Sequence, residues 1–338
     1  MPRLRFSLAL TLAAVLLVIS FRYFSPAAAE AFAPTAGEDE LIIEIPMTVL
    51  IERLHPAGSS ESPDEPEDVI VSVNVNGTLK EMTVEDYIFH VVAGEMPVSY
   101  ESEALKAQAV AARTYLYYKI AIGGCKNGGD ICTDSHHCQA FRDDERLKAD
   151  WGDQYKENAQ KIRDAVDATR GEVILYNGKP VCALYHSSSL GTTEDCSAVF
   201  GTDLPYLVRV SSPDRNDVKE LYRTVTFTEK EFVQKLADAG IDVSSCRVTV
   251  TGKTDAGRAS SVSVDGKNIP ATVLRKALGL RSTDFTVTSA KASVTFATRG
   301  FGHGVGMSQL GAQCMAEDGL TYREILTHYY SGTTVERI

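Results

Sequence analysis

The sequence predicts an α+β protein: helices and β-hairpins mixed in one catalytic-type domain with a second smaller lobe, preceded by an N-terminal membrane helix. Three observations carry this expectation. Strand-like runs are followed by Asn-Gly turns at Asn76-Gly77 and Asn177-Gly178. An Ala-rich stretch keeps helical spacing from about Glu103 to Ile120. Helical and hairpin segments succeed one another without the strict β-α alternation of a parallel sheet. The 338 residues, 44% hydrophobic and 23% charged, suffice for a sizeable core and exclude wholesale disorder.

Taken in order, Arg3 and Arg5 precede sixteen uncharged residues, Phe6–Phe21, closed by Arg22. A charged start before an apolar run is a secretory signal or a membrane anchor. The run is shorter than the ~20 residues a spanning helix usually takes, but Tyr23 and Phe24 extend it toward the headgroup layer. Residues 1–24 are therefore read as a single-pass anchor, with cleavage near Ala27-Ala28-Ala29 as the alternative. Either way, residues 30–338 lie outside the cytoplasm. Residues 25–68 are read as linker, because the Pro- and acid-rich stretch HPAGSSESPDEPED at 55–68 cannot bury a core. Within it, the apolar segment Leu41–Leu54 is a docking strand or a membrane-proximal element.

The domain 69–338 opens with alternating Val69, Val71, Val73 and Val75, a half-buried strand ended by Asn76-Gly77. Thr83, with Asp86 three residues on, opens a helix through Val92, and Met96-Pro97 ends it. In the next helix Leu105, Ala109, Ala112, Leu116 and Ile120 form one apolar face. A third helix spans about Glu157 to Thr169, followed by strands Glu172–Tyr176 and Val181–Tyr185. Residues 203–290 read as the second lobe, with strands at Arg223–Phe227 and Val248–Val250, helices at Thr228–Ala239 and Ala271–Leu278, and a hairpin strand Ser261–Val264. A Gly-rich segment, Gly300–Gly311, and a helix Tyr322–Tyr329 close the chain.

The net charge of −11 and the lack of a Lys/Arg cluster exclude a nucleic-acid partner. Glu95 is the residue most suited to chemistry. It sits at a helix end between Val91-Val92-Ala93-Gly94 and Met96-Pro97, so its carboxyl should be desolvated and its pKa raised. An acid still protonated near neutral pH can protonate a glycosidic oxygen. The competing reading is a structural pair with Arg113 or Lys106. Lys106 and Arg113 lie seven apart on one helix face, and with Gln108 they interrupt an otherwise buried Ala run, as cleft-lining residues would. Tyr185, His186, Ser187 and Ser188 follow a strand and offer an aromatic face, hydroxyls and an imidazole suited to sugars. His303 is ringed by glycines, with Gln309 nearby.

The segment CKNGGDICTDSHHC at 125–138 places Cys125, Cys132 and Cys138 beside His136 and His137, types that zinc accepts. The alternative is a disulfide and one free thiol. Seven cysteines leave at least one without an intramolecular partner, and Cys182 and Cys196 are candidates to cross-link the Tyr185 loop.

Three blocks, VVAGEMPVSYESEALKAQAVAARTY (91–115), ALYHSSSLGTTEDCSAVFGTDLPYL (183–207) and GFGHGVGMSQLGAQCMAEDGLTYREILTHYYSG (300–332), resemble in order the stage II sporulation protein D family. The resemblance implies a membrane-anchored lytic transglycosylase acting on peptidoglycan glycan strands during forespore engulfment, at the mother cell's engulfing membrane. Its partners would be a cell-wall amidase that removes the stem peptides, and other engulfment proteins. The family's catalytic glutamate falls on Glu95, its Gln-Ala-Val-Ala-Ala-Arg pattern on Gln108–Arg113, its Tyr-His-Ser segment on Tyr185–Ser187 and its Gly-His-Gly segment on Gly302–Gln309. No cofactor is required for such chemistry. The resemblance extends to members holding a structural zinc in the loop matching Cys125–Cys138. It also implies an alternative, a non-catalytic glycan-binding activator of a wall amidase. A metallohydrolase built on the Cys/His loop is a further rival, disfavoured because no H-E-x-x-H spacing is present.

Overall fold

The structure is a computed structural model that describes residues 69–338. The anchor, the linker and the segment Leu41–Leu54 lie outside the described residues. No helix among the described residues is long and apolar enough to cross a membrane.

The first hairpin pairs β1 (Ile70–Val75) with β2 (Thr78–Thr83), turning where Asn76 and Gly77 take positive φ. Helix α1 (Val84–Glu95) follows at once, capped by the Thr83 hydroxyl, which accepts from the Asp86 N–H. It runs three residues beyond the expected end, because the break comes only at Met96, whose extended backbone leads into Pro97.

Helix α2 (Ser102–Ala121) is the centre of the first core. Fifteen of its residues are buried, on nearly every side rather than on one apolar face. Its alanines let α1, the strand Glu172–Tyr176 and the helices Tyr155–Ala168, Gln309–Glu317 and Tyr322–Tyr329 approach closely. Strand β3 (Ile131–Cys132) then adds parallel to β1. Helices α3 (Asp144–Trp151) and α4 (Tyr155–Ala168) lead to β4 (Glu172–Tyr176) and β5 (Lys179–Pro180), joined through Asn177-Gly178. The expected strand Val181–Tyr185 is largely irregular. The regular piece is β6 (Tyr185–His186), since its neighbour is not β5 but a strand from the Gly-rich segment. Helix α5 is the short turn Cys196–Phe200.

A second buried cluster runs from Phe227 to Phe296, whereas Tyr206 and Leu207 pack in the first core. It is built from β7 (Tyr222–Thr228), α6 (Glu229–Asp238), β8 (Val248–Lys253), β9 (Ala259–Val264), β10 (Lys267–Pro270), α7 (Ala271–Leu278), β11 (Phe285–Ser289) and β12 (Ser293–Arg299). These strands form two three-stranded sheets, ordered β10-β9-β8 and β11-β12-β7. The chain then returns to the first core through β13 (Met307–Ser308), α8 (Gln309–Glu317), α9 (Tyr322–Tyr329) and β14 (Thr334–Arg337). Strand β13 lies parallel to β6, and β14 closes the sheet on β4. The β6–β13 approach depends on glycine: Gly306 has φ +72°, and a methyl there would run into the Leu184 carbonyl.

Candidate active site

Glu95 is the last residue of α1 and is 4% exposed. Its carboxyl does not pair with Arg113 or Lys106. Oε1 accepts from the Ala140 N–H at 2.7 Å and from the Tyr185 hydroxyl at 3.2 Å; Oε2 accepts from Gln309 Nε2 at 3.1 Å. Burial raises its pKa from 4.5 to about 7, against the three donors, which favour the anion. The helix C-terminus is the negative end of the dipole, with no basic side chain in the last turn to offset it. Among the described residues the shift traces to burial and these three donors, with no carboxylate contributing. Oε1 takes two donors and Oε2 one, so Oε2 is the oxygen with room for a transferable proton.

Gln108 lies beside this acid. Its Oε1 accepts from Gln309 Nε2 at 3.3 Å, while its own Nε2, fully buried, has no hydrogen-bond partner among the described residues. The structure thus brings Glu95, Gln108, Tyr185 and Gln309 together from α1, α2, β6 and the start of α8.

Arg113 goes elsewhere. Its guanidinium is fully buried and bound to the Glu85 carboxylate, with Nη1 donating to the Glu172 carbonyl at 3.1 Å. The cleft-lining expectation fails for it because α2 is enclosed on that side too, leaving an ion pair that ties α1 and β4 to the central helix. Lys106 pairs with Glu103 at 2.7 Å and lies 5.9 Å from the Tyr322 ring centre.

His186 donates or accepts at both nitrogens, Nδ1 to the Val305 carbonyl at 3.1 Å and Nε2 with the Ser189 hydroxyl. Burial drops its pKa to about 3, so it is neutral. Nδ1 is then the donor, because a carbonyl can only accept. His303 is also buried and packs 5.6 Å from the His186 ring and 5.4 Å from Phe200. Its Nδ1 accepts from the Val305 N–H, and burial first, then neighbouring His186 and arginines, holds its pKa well below the usual value. Ser187 is half-buried, and its carbonyl accepts from the Leu310 N–H at 3.0 Å.

Two residues gave no signal beforehand. Asp214, 5% exposed in an irregular stretch, accepts on Oδ2 from the Ser188 hydroxyl (2.7 Å), the Ser189 N–H (2.7 Å), the Leu190 N–H (3.1 Å) and the Ser308 hydroxyl (2.8 Å), and on Oδ1 from Ser212. Arg258, reaching in from the β8–β9 turn, forms a buried ion pair with Glu194 (3.4 Å) and donates to the Ser189 and Thr192 carbonyls at 3.1 and 3.3 Å. A shallow depression on the second lobe, lined by Glu229, Arg247 and Lys291 among others, shares no residue with the Glu95 cluster.

The Cys/His loop converges. Cys125, Cys132, His137 and Cys138 hold their ligand atoms within 4.8 Å of one another. The sulfurs of Cys125, Cys132 and Cys138 lie 3.3, 3.5 and 3.3 Å from His137 Nδ1, and those of Cys138 and Cys125 are 3.8 Å apart. A tetrahedral zinc, with Zn–S of about 2.3 Å and Zn–N of about 2.0–2.1 Å, spaces its ligand atoms about 3.5–3.8 Å apart. The donor set and spacing therefore fit zinc. Hydrogen bonding from Cys138 lowers the pKa of Cys132 and Cys125, toward the thiolates a metal takes, while the Cys138 thiol is pushed up in return. His136 points away and faces Asp134 instead. Among the described residues no disulfide is present, neither within this loop nor between Cys182 and Cys196.

A buried acid whose pKa is raised toward neutrality, on an α+β scaffold beside a thiol–imidazole cluster, narrows the class, and the family follows from similarity to known proteins. A sequence model of the family described as stage II sporulation protein, SpoIID, matches residues 74–176. The chain is 37% identical over 272 residues to stage II sporulation protein D of Bacillus subtilis (strain 168), covering 80% of this chain and 79% of that protein. It is 38% identical over 277 residues to stage II sporulation protein D of Bacillus amyloliquefaciens, with the same coverage. It is also 30% identical over 298 residues to a Bacillus subtilis protein named amidase enhancer, covering 72% of this chain and 39% of that one. The chain belongs to the stage II sporulation protein D family and is a sporulation protein.

Proposed function

We propose that this protein is a peptidoglycan lytic transglycosylase that cuts the MurNAc–GlcNAc β-1,4 bond of glycan strands stripped of stem peptides, during engulfment of the forespore. The observation that supports this most is Glu95, buried, held near pKa 7 and shifted by no carboxylate among the described residues. Ordinary glycosidases use two carboxylates; an intramolecular transfer uses one. Glu95 Oε2 gives its proton to the leaving O4 as the C1–O4 bond breaks. The resulting carboxylate takes the proton from the muramic acid 6-hydroxyl as O6 bonds to C1. The product is a 1,6-anhydro end, and Glu95 is again protonated. Tyr185, Gln309 and the Ala140 N–H stabilise the carboxylate that exists between the two transfers.

Gln108 Nε2, buried and unpartnered among the described residues, is the donor we assign to the sugar. Ser187 and His303 belong to the same reading as substrate contacts, His303 through its Nε2. Cys125, Cys132, His137 and Cys138 would hold a structural zinc, whose chemistry there is to cross-link the loop rather than to activate substrate. The loop's exit carries the Ala140 N–H to Glu95. The apolar segment Phe6–Phe21 would anchor the chain in the membrane, with the domain outside.

The name of the amidase-enhancer relative supports a second reading, an activator of a wall amidase that binds glycan without cutting it. One experiment separates the two. Full-length protein is incubated with denuded glycan strands and the products are resolved by mass. Anhydro-muramic ends from wild type, and none from Glu95→Gln, support the transglycosylase. Intact strands with wild type, together with faster peptide release by an added amidase, support the activator.

A further inference from the structure

Asp214 is a buried carboxylate that the chemistry above does not use, yet it touches both strands that serve Glu95. Its Oδ2 accepts from Ser188, which continues β6, and from Ser308, which ends β13. Strand β6 carries Tyr185, and the residue after Ser308 is Gln309; these are the two side chains that donate to Glu95. One oxygen atom therefore pins the two strands together, three residues from Tyr185 on one and one residue from Gln309 on the other. The strands meet in the parallel ladder Met307↔Tyr185 and Ser308↔His186, only two residues long. A ladder this short has few bonds of its own to hold register. The backbone N–H groups of Ser189 and Leu190 also end on Oδ2, which fixes the turn leaving β6. Gly311 completes the fit, since a side chain there would collide with the Tyr329 hydroxyl, Ser212 and Asp214.

We propose that Asp214 is a positioning residue for the reaction, holding Tyr185 and Gln309 at hydrogen-bonding distance from Glu95 by clamping β6 to β13. This inference rests on the transglycosylase reading only for its kinetic consequences; the clamp acts on the Glu95 carboxyl whatever that carboxyl does. Asp214 makes no hydrogen bond to Glu95, and its charge is not among the groups that shift Glu95. The titratable groups facing Glu95 are Tyr87 and Tyr185, both kept neutral by burial. The loop also keeps a second hold when Asp214 is altered, because Arg258 still binds the Ser189 and Thr192 carbonyls and Glu194.

The test is the Glu95 titration, followed by NMR on full-length protein with labelled glutamate side chains and read beside the pH–rate profile. Asp214→Asn keeps the shape but turns part of the acceptor into a donor. With the clamp loosened, Tyr185 and Gln309 favour the anion less, so the Glu95 titration moves up by about one unit, as loss of a charge-assisted hydrogen bond should produce. The alkaline limb of kcat moves with it, kcat falls about tenfold, and KM changes less than twofold. Loss of a negative charge acting through space would move the titration down, so the sign separates the two causes. Ser188→Ala removes one of the four donors on Oδ2 and gives a smaller upward shift, which decides the question should Asp214→Asn not fold. A wild-type Glu95 titration in folded Asp214→Asn, or in Ser188→Ala if that is the variant that folds, overturns the proposal. Absence of anhydro product from wild type would instead sink the transglycosylase reading and leave the titration result to judge the clamp.

Discussion

Replacing Glu95 by Gln should stabilise the protein, and increasingly so as pH rises. Folding raises the Glu95 pKa from 4.5 to about 7. The native state therefore keeps a proton that the unfolded chain gives up between those values, and stability falls as pH climbs through that window. At about 1.4 kcal/mol per unit, the penalty reaches about 3 kcal/mol by pH 8 and levels off above it. Gln fills the same space, accepts the Ala140 N–H and cannot ionise. Near pH 5 the two proteins should unfold at nearly the same urea concentration. By about pH 8 the variant should be more stable by about 3 kcal/mol, read from urea midpoints at constant slope. The same change removes the proton donor and should lower glycan cleavage by at least about a hundredfold. A stability gap that is constant with pH, or that narrows as pH rises, would refute the desolvated-acid argument. An acid retained at such a cost is what the proposed proton donor would require.

Other outcomes follow from the same geometry. Wild-type cleavage should decline as pH rises through about 7, where Glu95 loses its proton, and Gln309→Leu and Tyr185→Phe should each move that decline upward by about half a unit to one unit, Gln309→Leu more; pH–rate profiles measure this. Arg113→Ala should lower stability by about 3 kcal/mol in urea unfolding, because it strands the Glu85 carboxylate, while KM in the folded variant stays near wild type. Elemental analysis should find one zinc per chain, lost in a Cys132→Ser Cys138→Ser double variant and weakened in His137→Ala, with His136→Ala indistinguishable from wild type. Chelation should also lower the melting temperature, since β3 carries Cys132 and pairs with β1.

What the sequence disclosed was whatever is written locally. Thr83 as helix cap, the two Asn-Gly turns and the acid framed by Gly94 and Met96-Pro97 are short-range patterns, and each has a direct physical cause in the folded chain. The misreadings share another cause. Arg113 looked like a cleft residue because spacing tells which helix face a residue occupies but not what covers that face; α2 is covered nearly all round. Adjacent His136 and His137 cannot be separated by spacing, and only the fold turns His137 toward the three sulfurs. The Ala140 N–H leaves no trace in a sequence because every residue has one. Asp214 sits after Ser212 and Pro213, where an aspartate reads as an ordinary turn former. Its significance depends on Ser188 and Ser308 arriving from segments 26 and 94 residues away.

The separation of 214 residues between Glu95 and Gln309 bears on how the protein comes into being. A chain growing from its N-terminus makes the acid early and its last donor very late. Until α8 has been synthesised, Glu95 lacks Gln309, and β6 lacks the strand it lies against. An incomplete polypeptide, or one clipped before residue 309, therefore carries the carboxyl without its setting. The full set of donors around that group is therefore assembled only once α8 has joined the fold.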